Sequence, residues 1–160
     1  MKSRIDLMHV SAGIIQAMLG LERQVRQAHL DSTLLDLVRM RASQINGCAY
    51  CLDMHSKDAR ANGESEQRLF GLDAWRETPY YSARERAALE WTEALTLVAD
   101  THVPDEVFER AREQFSENEL AHLSLAVVAI NGWNRLNVAA RTVPGDYVPG
   151  SVEKLQATAG

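Results

Sequence analysis

Two cysteines, Cys48 and Cys51, stand three residues apart, and His55 follows one helical turn after the second. If this stretch is helical, the three side chains share one face, because residues three, four and seven apart line up on a helix. Cα atoms three apart in a helix are ~5–5.5 Å from one another, within the range that a disulfide tolerates. Cys48 falls at the start of that helix, where unpaired backbone N–H groups and the macrodipole favour a thiolate. His55 is close enough to Cys51 to exchange a proton with it, directly or through a water. The spacing therefore describes a dithiol of lowered pKa beside a base. That is equipment for thiol–disulfide exchange or for peroxide reduction.

Other chemistries use the same residue types. Free cysteine is among the most buried side chains, so the pair could simply be core, with His55 a satisfied buried histidine. Cys48, Cys51 and His55 could also bind zinc with a carboxylate or water as fourth ligand. Structural zinc usually takes four Cys or His ligands, and His9, His29, His102 and His122 are scattered singly. Covalent haem attachment needs a histidine directly after the second cysteine, where Leu52 stands. A thioredoxin-like site needs a strand before the motif, and no period-2 stretch argues for one.

The elements that must hold these residues read as helices. Ile5 to Ala28 has helical spacing at Ile14, Ala17, Met18 and Leu21, with a break expected near Ser11-Ala12-Gly13. Ser32 is expected to cap a second helix whose stripe is Leu34, Val38, Ala42 and Ile45, broken at Asn46-Gly47. A third helix begins at Cys48, and Gly63 suits its C′ position. A short helix over 66–72 follows. Ser82 to Glu85 has the capping-box pattern and opens a helix to about Ala99. Pro104 is expected at a first helical position. A second capping box, Ser116 to Glu119, opens the most apolar segment, Leu120 to about Ala140. The expectation is an all-α bundle of about six or seven helices with short loops.

With 160 residues the chain suits one domain, at ~150 residues per domain. The reading is a single domain over 1–160, with a core over about 5–141 and an irregular tail over 144–160. Its 46% hydrophobic and 24% charged residues exclude a disordered chain or a disulfide scaffold. A net charge of −5 argues against a nucleic-acid partner. No run approaches ~18 apolar residues, so no membrane span is expected. The segment Met1 to Asp6 lacks the apolar run of a signal peptide, so the expectation is a cytoplasmic chain, where thiols stay reduced.

The stretch Leu34 to His55, continued through Gly63, resembles the core of the alkylhydroperoxidase D-like (AhpD-like) proteins of the carboxymuconolactone decarboxylase superfamily. A second similar region is Ile130 to Leu136. The resemblance implies an all-α fold, a homotrimer or homohexamer, and thiol-dependent peroxidase activity. It implies no bound cofactor beyond the Cys48–Cys51 pair, a hydroperoxide substrate and a dithiol or lipoyl-type reductant protein. By resemblance Cys51 attacks peroxide, Cys48 resolves the sulfenic acid, and His55 relays protons. The family's glutamate, twelve residues before the first cysteine, is here Asp36, and the histidine of its best-known members between the cysteines is here Tyr50. The dipole favours Cys48 as the more acidic thiol, but a base beside Cys51 also shuttles its proton, so Cys51 is taken as the nucleophile. The rival classes are a helical zinc-binding or interaction module, and a decarboxylase-like enzyme on the same fold. The presence of both cysteines argues against the latter.

Asp36, on residue type alone, reads as a solvated carboxylate near a helix start. Asn131, Trp133 and Asn134 read as a packing anchor with amides bonded to backbone, or alternatively as a pocket wall beside the dithiol. Trp75, Tyr80, Tyr81 and Trp91 are expected in the core or at subunit contacts. Arg84, Glu85 and Arg86 are expected on a solvated face, and Arg60 in a salt bridge between subunits.

Overall fold

Side chains that accept from the backbone decide where several helices begin. In the computed structural model, which describes residues 1–10, 12–27 and 29–151, both predicted capping boxes are complete: Ser82 with Glu85, and Ser116 with Glu119. Ser32 is not the cap of its helix. Asp31, one residue earlier, accepts from the Leu34 N–H at 3.1 Å and leaves Ser32 as the first helical residue. Pro104 likewise precedes its helix as N-cap, and its carbonyl accepts from Val107 at 3.0 Å.

Among the described residues there are nine α-helices and one 3-10 helix, and no strand. The helices are α1 (Leu7–Val10), α2 (Ala12–Gln27), α3 (Ser32–Asn46), α4 (Ala49–Ala61) and α5 (Glu66–Gly71). The 3-10 helix covers Leu72–Glu77, followed by α6 (Ala83–Thr96), α7 (Val98–Thr101), α8 (Asp105–Gln114) and α9 (Glu117–Ala140). Two of these, α1 and α7, are single turns of 4 residues, which reconciles the count with the six or seven expected. The segment read as one helix to Ala99 is divided at Leu97 into α6 and α7. Of the expected break near Ser11 and the helix end at Ala28, those two residues lie outside the described set.

Central α3 packs on α4, α6 and α9, and α9 also covers α2 and α6. Leu34 and Val38 face a core shared with Trp91, Phe115, Leu123 and Val127. Leu37 and Met40 face a second core with Leu72, Trp75 and Leu89. Trp75, Tyr81 and Trp91 are buried as expected, whereas Tyr80 is exposed. Of the predicted α2 stripe, Met18 and Leu21 are half-buried but Ile14 and Ala17 are exposed, and the fully buried residues are Leu19 and Val25. Apolar residues occur at 14, 15, 17, 18 and 19 alike, so periodicity alone fits more than one face. Docking on α9 chooses, and Met18 lies against Gly132, where a Cβ would come within 2.9 Å of its Cε.

The expected solvated face is also corrected. Arg84 reaches the Gln114 carbonyl and pairs with Glu119 at 2.7 Å, while Glu85 pairs with Arg68. Arg86 donates to the carbonyls of Tyr81 and Thr78. Arg84 thus ties α6 to α8 and α9, Arg86 holds the loop between the 3-10 helix and α6, and all three side chains are half-buried. Arg60 finds its partner, Glu66, within the same chain at 2.8 Å.

The described part of the C-terminal tail is irregular but anchored. Lys57 donates to the carbonyls of Gly145 and Tyr147 at 2.8 and 3.2 Å, and the Tyr147 hydroxyl donates to Asp58 at 2.8 Å. Residues 152–160 of the expected tail lie outside the described set. No helix of the described residues is long and apolar enough to cross a membrane.

Candidate functional site

The turn between α3 and α4 places the dithiol. Gly47 takes the left-handed conformation (φ 63°) that ends α3, a backbone state in which a side chain is strained. The chain then reverses, and Cys48 becomes the N-cap of α4, its Sγ accepting from the Cys51 N–H at 3.3 Å. The Cys48 and Cys51 sulfurs stand within disulfide distance, with Cα atoms 5.3 Å apart. The approach of Cys48 and Cys51 expected from the spacing is thus realised at the head of α4, with Cys48 as its cap rather than its first residue.

Both cysteines are buried, each 1% exposed, in a cluster with Ala42 and Ile130. Tyr50 and Trp133, half-buried, pack on this cluster from outside. Trp133 therefore belongs to the wall beside the dithiol, the reading that residue type alone placed second. Asn131 and Asn134 are corrected too. They sit inside α9, and their amides form a side-chain network rather than bonding mainly to backbone. Asn46 donates to Oδ1 of both, at 3.0 and 2.9 Å, Asn134 donates to Ser43, and Asn131 to Thr96. This network clamps the turn that carries Cys48 onto α9.

His55 and Asp36 are both buried, at 7% and 3% exposure. The solvated reading of Asp36 is therefore overturned. Its Oδ2 accepts from Asn62 at 2.8 Å, and its Oδ1 lies 3.8 Å from Arg39, which is itself held by Glu22 of α2 at 3.0 Å. Burial pushes the Asp36 carboxyl above its ordinary range, against the opposing pull of Asn62 and Arg39. His55 is pushed down to about 3, by burial first and by the Arg39 charge second. It is a neutral imidazole at pH 7, and its Nε2 is buried with no hydrogen-bond partner. Asp36 thus bonds to Asn62 rather than to His55, and Arg39 is the group whose charge both residues feel.

Sequence reasoning missed Arg39, Glu22, Asn62, Asn46 and Asn137. The last lies beside the dithiol, with Nδ2 3.7 Å from Cys51 Sγ. A signal for it exists: Asn131, Asn134 and Asn137 recur every three residues in a largely apolar helix. A buried amide is costly unless partnered, so such a series announces a network. Among the described residues no group of three or more His, Cys, Asp or Glu side chains converges as a metal site.

Residues 13–94 match the carboxymuconolactone decarboxylase family, and the chain belongs to that family as an AhpD-like member. It is 40% identical over 139 residues to the uncharacterised protein YdfG of Bacillus subtilis (strain 168), covering 87% of this chain and 95% of that one. It resembles the solved structure of a protein of unknown function from Agrobacterium tumefaciens, provisionally named as an AhpD antioxidant defence protein. That likeness has 40% identity and a TM-score of 0.88, covering 91% of this chain and 100% of the other. The debrominase Bmp8 shares the fold alone, at 21% identity and a TM-score of 0.70, covering 82% of this chain and 70% of that one.

Proposed function

We propose that the protein is a thiol-dependent hydroperoxide reductase of the AhpD type, equally able to pass its dithiol electrons to a disulfide. The observation that carries this reading is the Cys48–Cys51 pair within disulfide distance at the head of α4, one turn before His55.

The Cys51 thiolate attacks the terminal oxygen of a hydroperoxide. An S–O bond forms, the O–O bond breaks, and the alkoxide takes a proton to leave as an alcohol. The Cys48 thiolate then attacks the Cys51 sulfur; the S–S bond forms and hydroxide leaves, protonated to water. Two electrons pass from the dithiol to the peroxide. An external dithiol, such as that of a lipoyl-type protein, restores both thiols by exchange. His55, neutral at pH 7, does not store the proton of Cys51 but passes it on. A thiolate forming one turn away raises its proton affinity when the transfer occurs. Asp36 acts on this relay through the charge shared with Arg39.

The family resemblance supports assembly into a trimer or hexamer, in which exposed apolar residues such as Val128 and Val138 of α9 would find cover. Light scattering at micromolar concentration is expected to give a multiple of the 17.9 kDa chain; a monomer overturns that part. The reading as a whole rests on a thiol count. One equivalent of peroxide added to the reduced protein is expected to remove both thiols of each chain within one molecule. Thiols that persist, or that pair only between chains, would sink it.

A further inference from the structure

The two sulfurs are served by different donors. Cys48 Sγ takes the backbone N–H of Cys51, as an N-cap acceptor does. Cys51 Sγ has the side-chain amide of Asn137, reaching across from α9. The direction of that amide is set by its surroundings. Asn137 is buried, and the same Nδ2 donates to the Trp133 carbonyl at 2.9 Å, one turn back along α9. An NH₂ group has two hydrogens, so one serves Trp133 and the other is left for sulfur. Turning the amide over would set its oxygen against a carbonyl oxygen and a sulfur at once.

A disulfide sulfur is a weak acceptor, and a thiolate is a strong one, because hydrogen bonds to charged groups are about twice as strong as neutral ones. The contact therefore gains most when Cys51 ionises. We propose that Asn137 is a catalytic residue of this dithiol: its amide stabilises Cys51 as the thiolate and so selects Cys51 over Cys48 as the nucleophile. This deepens the peroxidase reading and depends on it only for the consequence in rate. The donation itself can be read without peroxide. The other ionisable groups of the site are His55 and Tyr50 on α4 and Asp36 and Arg39 on α3, and all remain in place during the test.

The test measures iodoacetamide alkylation against pH in reduced protein, with Cys48→Ser isolating Cys51 and Cys51→Ser isolating Cys48. Asn137→Leu removes the donor at similar volume. Asn137→Val removes the donor with a smaller apolar side chain and no added charge, so it decides the matter alone if the leucine variant does not fold. The Cys51 midpoint is expected to rise by about one pH unit in Asn137→Leu and in Asn137→Val, roughly tenfold less thiolate at pH 7. The Cys48 midpoint is expected to stay. An unchanged Cys51 midpoint in either folded variant overturns the proposal, as does an equal shift at Cys48. A shift at Cys51 in a protein that consumes no peroxide would instead sink the peroxidase reading and leave the donor standing.

Discussion

Arg39 and Arg41 stand two residues apart on α3 and serve opposite sides of it. Arg41 donates Nε to Glu93 at 2.7 Å, also reaches Asp73, and bonds Gln44 at 3.1 Å. Glu93 is further bonded by Trp75 Nε1 at 2.8 Å and Arg76 at 2.5 Å. Burial pushes the Glu93 carboxyl up, but these hydrogen bonds outweigh it and hold the group below its ordinary range. On the other side, Arg39 faces Asp36 across 3.8 Å, and the His55 Nε2 nearby has no partner. One cluster is fully bonded and ionised; the other holds a carboxyl raised and an imidazole lowered by burial. Complete bonding fixes groups in one state, whereas groups displaced from their usual proton affinities are poised to move protons. The difference teaches that the Arg41 side is bound into one charge state, while the Arg39 side, where the proposed reading puts the chemistry, holds groups displaced from theirs.

The sharpest way to separate the two is by rate. His55→Ala is expected to slow peroxide reduction by ~10²–10⁴ with the fold intact, read as the second-order rate of disulfide formation. A rate equal to wild type across pH 6–8 would make His55 a packing residue. On the other side, Glu93→Ala leaves Arg41, Arg76 and Trp75 without their shared acceptor. It is expected to lower unfolding free energy by about 3 kcal/mol in urea titration. A loss of peroxide rate in that variant larger than its loss of folded protein would erase the proposed division.

Stability against pH sharpens it further. His55 is held near 3 when folded and returns to 6.5 when unfolded, so between those values the unfolded chain binds the extra proton. Stability therefore falls as pH drops below 6.5, by up to about tenfold per pH unit in the unfolding constant. Asp36, raised when folded, opposes this just above pH 3.8, where the native state holds the proton. Unfolding measured over pH 4–7 is expected to show the slope in wild type and lose most of it in His55→Leu. The smallest effect belongs to Asp36→Asn, which keeps the shape bonded to Asn62. It is expected to cost less rate than His55→Ala, and Asp36→Glu to retain or improve the rate; an Asp36→Asn loss equal to that of His55→Ala would make Asp36 an obligatory proton carrier.

Much of this was legible along the chain. The alignment of Cys48, Cys51 and His55 follows from helical period alone, and the capping boxes at Ser82 and Ser116 are local hydrogen bonds between residues three apart. Gly47 marked the turn because a left-handed residue favours glycine. The α2 register was not legible, since apolar residues occupy adjacent faces and only contact with α9 selects one. Asp36 looked solvated because its burial depends on Arg39, Asn62 and Glu22, which come from three segments of the chain.

Residue type and short-range spacing thus suffice for the helices, the dithiol and the family. They cannot say which amide meets which sulfur, or which histidine is denied a partner. Asn137 and Cys51 are separated by 86 positions, and Asn46 and Asn134 by 88. Such pairs exist only once α9 lies across the α3–α4 turn. A hydrogen bond acts over a few ångströms, and the long-range packing of helices decides which groups come that close.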